Sequence, residues 1–251
     1  MKKWALIAAA ALLIGPLLVW LFAVPDSLIP NLIEKEAAKQ DLSLKVNGFE
    51  KGIFLTFKAD DVIAFQKGTE LIRINRLKGS INPFSLFLLK VNIPFSGTIS
   101  EGTLDGEITL KFSSRAISAR IENANTAGVP VLAGVAHGSF SGDLSMKNDA
   151  GAMSFTLKDI SRAPLNINEA NGLLAIANGE VILKSVSMEG ENINAKLKGT
   201  IKNGFYRLTA EVMPRGEGIP ENELLKYSLP RYEVSPGYYV IPLSGELRRL
   251  P

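Results

Sequence analysis

Cysteine is absent from the 251 residues, and histidine occurs once, as His137. Without thiols there are no disulfides, no thiolate metal sites and no cysteine nucleophile. With a single imidazole, the usual zinc sites and Ser-His-Asp triads lack their parts. An excess of one charge is missing too. The chain carries 28 Lys and Arg against 25 Asp and Glu, and two of the basic residues, Lys2 and Lys3, precede a long apolar run. Beyond these two lysines the chain is nearly neutral, without the basic stripe of a nucleic-acid binder. No glycine-rich phosphate loop leads into a helix, and neither HExxH nor GxSxG occurs. His137 lies in Ala136-His137-Gly138-Ser139, which reads as a turn. The acidic pairs Asp60-Asp61 and Glu189-Gly190-Glu191 read as solvated strand ends or hairpin tips. The expectation is a protein that is not an enzyme and holds no cofactor or metal.

Hydrophobic residues make up 46% of the chain, which excludes wholesale disorder. Trp4 to Val24 contains no charged residue. At 1.5 Å per residue it spans roughly 30 Å, the thickness of a bilayer core. Trp4 and Trp20 stand near its ends, where indoles favour the headgroup boundary, and Lys2 and Lys3 keep the N-terminus cytoplasmic. Gly15-Pro16 permits a kink that neighbouring groups in a membrane tolerate. A cleaved signal peptide would have a shorter apolar core ending in a small-x-small site. Here Leu21 occupies the position two before Ala23, so a retained single-pass anchor is the preferred reading.

Asp26 to Gln40 has Leu28, Ile29, Leu32, Ile33 and Ala37 at helical spacing, with Ser27 as a cap and Pro30 in the first turn. This predicts a short amphipathic helix. It would either lie on the bilayer or cover the open end of a sheet, and its weakly basic polar face favours the second. After Leu42 the period changes to two. Thr103 to Phe112 sets Leu104, Ile108, Leu110 and Phe112 against Asp105, Glu107, Thr109 and Lys111. Such alternation marks strands with one dry and one wet face. Phe54 to Val62, Glu70 to Leu77, Ile117 to Ile121, Phe140 to Met146, Met153 to Leu157, Ile193 to Ile201, Tyr206 to Val212 and Tyr238 to Leu247 share the pattern, joined by turns such as Lys202-Asn203-Gly204. Pro242 suits only an edge strand or a bulge. Arg215 to Glu223 reads as a polar loop, with one or two helical turns over Pro220 to Tyr227. The fold class is mainly β: a transmembrane helix, then a long curved antiparallel sheet of about a dozen to fourteen strands. The sheet would form a groove or a flattened, incompletely closed barrel. The chain divides into a stub and membrane helix over 1–25, a short helix over 26–41 and a β domain over 42–251.

One pattern recurs: apolar, x, Gly, x, apolar. It places Gly97, Gly106, Gly142, Gly199 and Gly245 where alternation calls for an inward side chain. Glycine weakens a strand, so five such positions need a reason. Sheet curvature is the first, and a groove that leaves room for a ligand is the second.

The Gly-punctuated stretches FSGTISEGTLDGEITL (95–110) and VILKSVSMEGENINAKLKGTIKNGFYRLTAEVMP (181–214), with the ending GYYVIPLSGELRRLP, resemble the type II secretion system protein N family, itself similar in style to AsmA-like envelope proteins. The resemblance implies a non-catalytic inner-membrane protein whose main domain is periplasmic and whose partners are other secretion-system proteins. The AsmA-like side implies instead a trough that binds or transfers phospholipid. It supplies no catalytic residues. About fourteen strands make a sheet on the order of 65 Å long.

Overall fold

The computed structural model describes residue 20 and residues 23–38, 42–86, 88–133, 137–162, 165–215 and 230–246. The apolar run over 4–24 lies outside these residues except for Trp20, Ala23 and Val24, and so do most of the 215–223 loop and the turns over 220–227. Among the described residues no helix is long and apolar enough to cross a membrane.

Helix α1 (Leu28–Ala38) begins directly after Ser27, as its spacing predicts, and the Ser27 carbonyl accepts from the Asn31 N–H at 3.1 Å. Beyond it the chain runs through fifteen strands: β1 (Ser43–Asn47), β2 (Glu50–Lys51), β3 (Thr56–Gln66), β4 (Thr69–Ser80), β5 (Lys90–Ile99), β6 (Gly102–Lys111), β7 (Ser114–Asn125), β8 (His137–Lys147), β9 (Ala150–Arg162), β10 (Leu165–Ala177), β11 (Glu180–Gly190), β12 (Ile193–Lys202), β13 (Phe205–Pro214), β14 (Glu233–Ser235) and β15 (Tyr238–Glu246). Two one-turn helices, α2 (Pro83–Leu86) and α3 (Pro130–Ala133), lie in the β4–β5 and β7–β8 connections.

All the strands belong to one antiparallel sheet, ordered β1-β3-β4 and onward through β13, then β15 and β14, with β2 paired to β3. From β3 to β13 every strand pairs with its neighbours in sequence, because hairpin turns leave it no other reach. The sheet does not close: β1 is one edge and β14 the other. Edge strands carry unpaired backbone groups that proteins cover or blunt. At the β1 edge the Glu34 carboxylate of α1 accepts from the Val46 N–H at 3.2 Å, so this helix sits against that edge. At the other edge β14 pairs only with Tyr238 and Tyr239. Pro242, opposite Thr209 of β13, therefore sits where no described strand needs its missing N–H.

Several strands run past the point where simple alternation stops. The apolar series steps by three, not two, from Ile74 to Leu77, Ile121 to Ala124, Leu157 to Ile160 and Leu183 to Val186. Each step spans a bulge, where two residues face one on the next strand: Arg76 and Leu77 opposite Gly97, Glu122 and Asn123 opposite Ser141, Asp159 and Ile160 opposite Gly138, Lys184 and Ser185 opposite Lys198. Arg76, Asn123 and Asp159 take φ of 52°, 55° and 54°. The extra residue bends the strand and returns the apolar series to its own face. Phe54 and Leu55, expected at the start of a strand, form instead a 3-10 turn at Ile53–Leu55, because their φ of 60° and 61° lie outside the extended region. His137 is not a turn residue but the exposed first residue of β8, opposite Ser161.

Candidate functional site

The apolar face is the feature that sets this sheet apart. Leu104, Ile121 and Gly142 stand in a row across β6, β7 and β8, and Leu197, Ala210 and Ile241 across β12, β13 and β15. The face is deepest in one half. Ile99, Leu104, Ala124, Ile160, Ala170, Val186, Ala210, Val212 and Tyr239 are all buried, and all lie toward the end of the sheet that carries the β5–β6 and β7–β8 connections. Toward the other end the same face opens, with Leu110, Ile117 and Leu243 about two-fifths exposed. The result is a trough, packed at one end and accessible at the other.

The packed end is closed by the chain itself. Thr126–Gly128 forms a 3-10 turn that leads into α3. Val129 and Leu132 from this connection join Ile99, Leu104 and Ala124, with Ile72, Ile74 and Phe95 packed around them. Thr126 is fully buried, and its hydroxyl donates to the Gly138 carbonyl at 3.1 Å. The Asn125 side chain accepts from Ala127 N–H at 3.0 Å, and Ser100 Oγ donates to the Asn125 carbonyl at 2.7 Å. A buried hydroxyl needs such a partner to offset its lost hydration. These bonds hold the connection down as a plug.

All five glycines singled out in the sequence lie on this face, spread over β5, β6, β8, β12 and β15. Three of them sit beneath aromatic rings. A Cβ on Gly106 would stand 2.8 Å from Phe95 Cε2, one on Gly142 3.0 Å from Phe140 Cζ, and one on Gly245 2.8 Å from Tyr206 Oη. Phe95 and Tyr206 are directly opposite their glycines on the adjoining strand. Gly97 and Gly199 admit close backbone instead: a Cβ would meet the Asn75 carbonyl at 3.2 Å or Leu208 Cα at 2.7 Å. Gly199 has φ of +146°. Two further members, Gly79 under Phe57 and Gly172 under Phe155, complete the set. Both fit the sequence signal, as Leu77-x-Gly79-x-Ile81 and Ala170-x-Gly172-x-Leu174. The rings of Phe140 and Phe155 are themselves stacked, 6.5 Å apart. The space above Gly79, Gly106, Gly142, Gly172 and Gly245 thus belongs to neighbouring rings, which cover the bare backbone.

The opposite face is polar. A groove of about 650 Å³ there is lined by Arg120, Asp143, Ser154, Thr156, Asn171 and Ser187. Arg120 Nε donates to Asp143 Oδ1 at 2.6 Å, and the Thr156 hydroxyl donates to Asn171 Oδ1 at 2.7 Å. These groups satisfy one another across strands, as cross-strand pairs on a wet face do. Asp60 and Asp61 lie inside β3, while Glu189 near the end of β11 pairs with Arg215 at 2.7 Å. Among the described residues no three His, Asp or Glu side chains gather as a metal cage.

No family model, curated protein or solved structure matches this chain. The trough must therefore be interpreted from its own chemistry. A continuous apolar face with a packed end and an open end can bury an extended apolar segment, either an acyl chain or a hydrophobic strip of another protein. Among the described residues the side chains along it are mostly apolar and offer contact area.

Proposed function

We propose that this chain is a non-catalytic, membrane-anchored protein of the cell envelope that works through the apolar face of its open sheet. The observation that carries this reading is the trough itself. A single-layer sheet keeps a continuous apolar surface that no described second layer covers along its accessible half. Apolar surface left uncovered in this way favours a binding role, since burying it gains about 25 cal/mol per Å². The trough favours the AsmA-like role: binding or transfer of phospholipid, with acyl chains along the face. The stretches 95–110 and 181–214 favour a setting for it, an inner-membrane component of a type II secretion system with its sheet in the periplasm. The two are compatible, because such a component can hold lipid or a hydrophobic partner on the same surface.

Native mass spectrometry of the full chain, released from detergent and paired with lipid extraction, tests the proposal. Phospholipid retained in a fixed ratio supports the lipid role. An empty chain that instead co-purifies with identified secretion-system proteins supports the second. A chain that does neither would dispose of the trough as a site.

A further inference from the structure

Of the seven large apolar side chains at least 65% exposed among the described residues, six lie at the open end of the sheet, and the seventh is Val234 of β14. Ile53, Phe54, Phe84, Leu88, Leu89 and Phe112 are 65%, 70%, 66%, 78%, 84% and 104% exposed. They occupy three neighbouring connections: the turn before β3, the β4–β5 connection and the β6–β7 turn. The first two are tied together by the Ile81 N–H, which donates to the Leu55 carbonyl at 2.9 Å. Phe54 and Leu89 have φ of 60° and 50°, a left-handed conformation that bulky residues adopt only at a cost. Backbone strain is thus spent at two of the positions that hold apolar side chains out into solvent.

Basic residues surround these tips. Lys58 faces Lys78 directly across β3 and β4, and Lys90 faces Lys111 across β5 and β6. Like charges directly opposite each other destabilise a sheet. Glu50 relieves the first pair through Lys58 at 2.8 Å. Arg115, on the same turn as Phe112, pairs with Asp149 at 2.8 Å. Lys90 and Lys111 adjoin the tips at Leu89 and Phe112, and Lys58 and Lys78 lie further up β3 and β4. Apolar tips backed by lysines match the layering of a bilayer surface, hydrocarbon below and anionic headgroups above.

The same end of the sheet holds the outer end of the N-terminal apolar run. Trp20 is buried and its Nε1 donates to the Gly52 carbonyl at 3.2 Å. Lys51 Nζ donates to the Trp20 carbonyl at 2.9 Å, donates to the Val24 carbonyl, and lies 5.9 Å from the centre of the Trp20 ring. Lys51 also pairs with Asp26 at 3.5 Å. Trp20 and Val24 are therefore held next to the exposed tips.

We propose that the turns bearing Phe54, Leu88, Leu89 and Phe112 insert into the bilayer that anchors the chain, with Lys58, Lys78, Lys90 and Lys111 on its anionic headgroups. The inference rests on the membrane-anchored reading and adds an orientation to it. The open end of the trough meets the lipid, and the end closed by Val129 and Leu132 points away from it.

The absence of cysteine allows a direct test on the full chain. Phe54→Cys, Leu89→Cys and Phe112→Cys each carry an environment-sensitive fluorophore, with Gly68→Cys in the β3–β4 turn at the opposite end as the control. The labelled proteins are reconstituted in phosphatidylethanolamine vesicles containing phosphatidylglycerol, with and without nitroxide-bearing acyl chains. Labels at 54, 89 and 112 should shift to the blue and lose emission to the nitroxide, and the label at 68 should do neither. Carbonate extraction of the same samples reports the anchor separately. A carbonate-resistant chain with all four labels unquenched would overturn the insertion and leave the anchor standing. Quenching at 54, 89 and 112 in a chain that carbonate releases would uphold insertion and overturn the anchor.

Discussion

Phe155 and Gly172 stand directly opposite each other on β9 and β10, and the Phe155 ring occupies the space that a side chain at 172 would need. The three nearest atoms to a Cβ at 172 all belong to that ring. Gly172→Ala should therefore destabilise the protein by about 1–3 kcal/mol through overpacking. Pairing it with Phe155→Ala should return part of that loss, a coupling on the order of 1 kcal/mol. Denaturant titration of the two single variants and the double variant measures the coupling. Strict additivity would show that the ring and the glycine are independent.

Gly199 makes the contrasting case. Its φ of +146° is closed to most side chains, and what a Cβ would meet is backbone at Arg207 and Leu208. Gly199→Ala should cost about 1–3 kcal/mol, and shortening Leu208 to alanine should recover none of it. Recovery in the double variant would place the constraint in the side chain.

At the β7 bulge, Asn123 has φ of 55° and its N–H donates to Ser141 Oγ at 3.0 Å. Asparagine tolerates this conformation and β-branched residues do not. Asn123→Val should lower stability by about 1–2 kcal/mol, and Asn123→Gly should leave it within a few tenths. Thermal melts of both variants check the ordering, which reverses if the bulge relaxes on substitution.

Thr126 supplies a prediction for the plug. Thr126→Val keeps the shape but leaves the Gly138 carbonyl without this donor, at a cost of about 1–2 kcal/mol. Hydrogen exchange should then accelerate at Val129 and Leu132 before it does so in β9 to β13. Uniform acceleration across the sheet would mean that the plug is no separate unit.

The Glu211 carboxyl is held below its ordinary value of 4.5, first by the hydrogen bond from Lys198 and next by one from Tyr238. Lys198 is raised above 10.5 by the same bond and by the charge of Glu211. A lowered carboxylate stabilises the fold above its unfolded value, and this contribution is lost as pH falls through the folded value. A raised lysine contributes fully below 10.5 and loses its contribution as pH rises through the folded value. Lys198 is exposed and Glu211 keeps about a fifth of its side chain, 22%, in solvent, so the effect is small and salt-sensitive. Glu211→Gln should flatten the melting temperature below pH 4.5 and at the alkaline limit, and leave its salt dependence weaker. An unchanged acid limb would show that Glu211 does not couple to folding.

Alternation alone made the strands legible, and it ended where the bulges begin. Ile117-Ala119-Ile121 and Met153-Phe155-Leu157 are regular, and the three-residue steps to Ala124 and Ile160 hide the continuation of β7 and β9. The apolar-x-Gly-x-apolar pattern located the trough's floor, because each glycine had to share a face with its apolar neighbours. What lies above each glycine depends on the strand alongside. Phe95 and Gly106, or Tyr206 and Gly245, are partners only once the register is known. The positive φ of Phe54 and the closure at Thr126 arise from contacts made by the finished sheet, and short-range patterning carries no trace of them.

Because β4 to β12 each pair only with the strands next to them in sequence, this part of the domain is a ribbon in which distance along the chain maps onto distance in space. Most of the loop closures are short, which favours rapid zippering from a hairpin. A duplication that adds one more pair of strands lengthens such a ribbon by roughly 10 Å without rethreading it. The width of the apolar face is then a quantity that evolution can adjust two strands at a time.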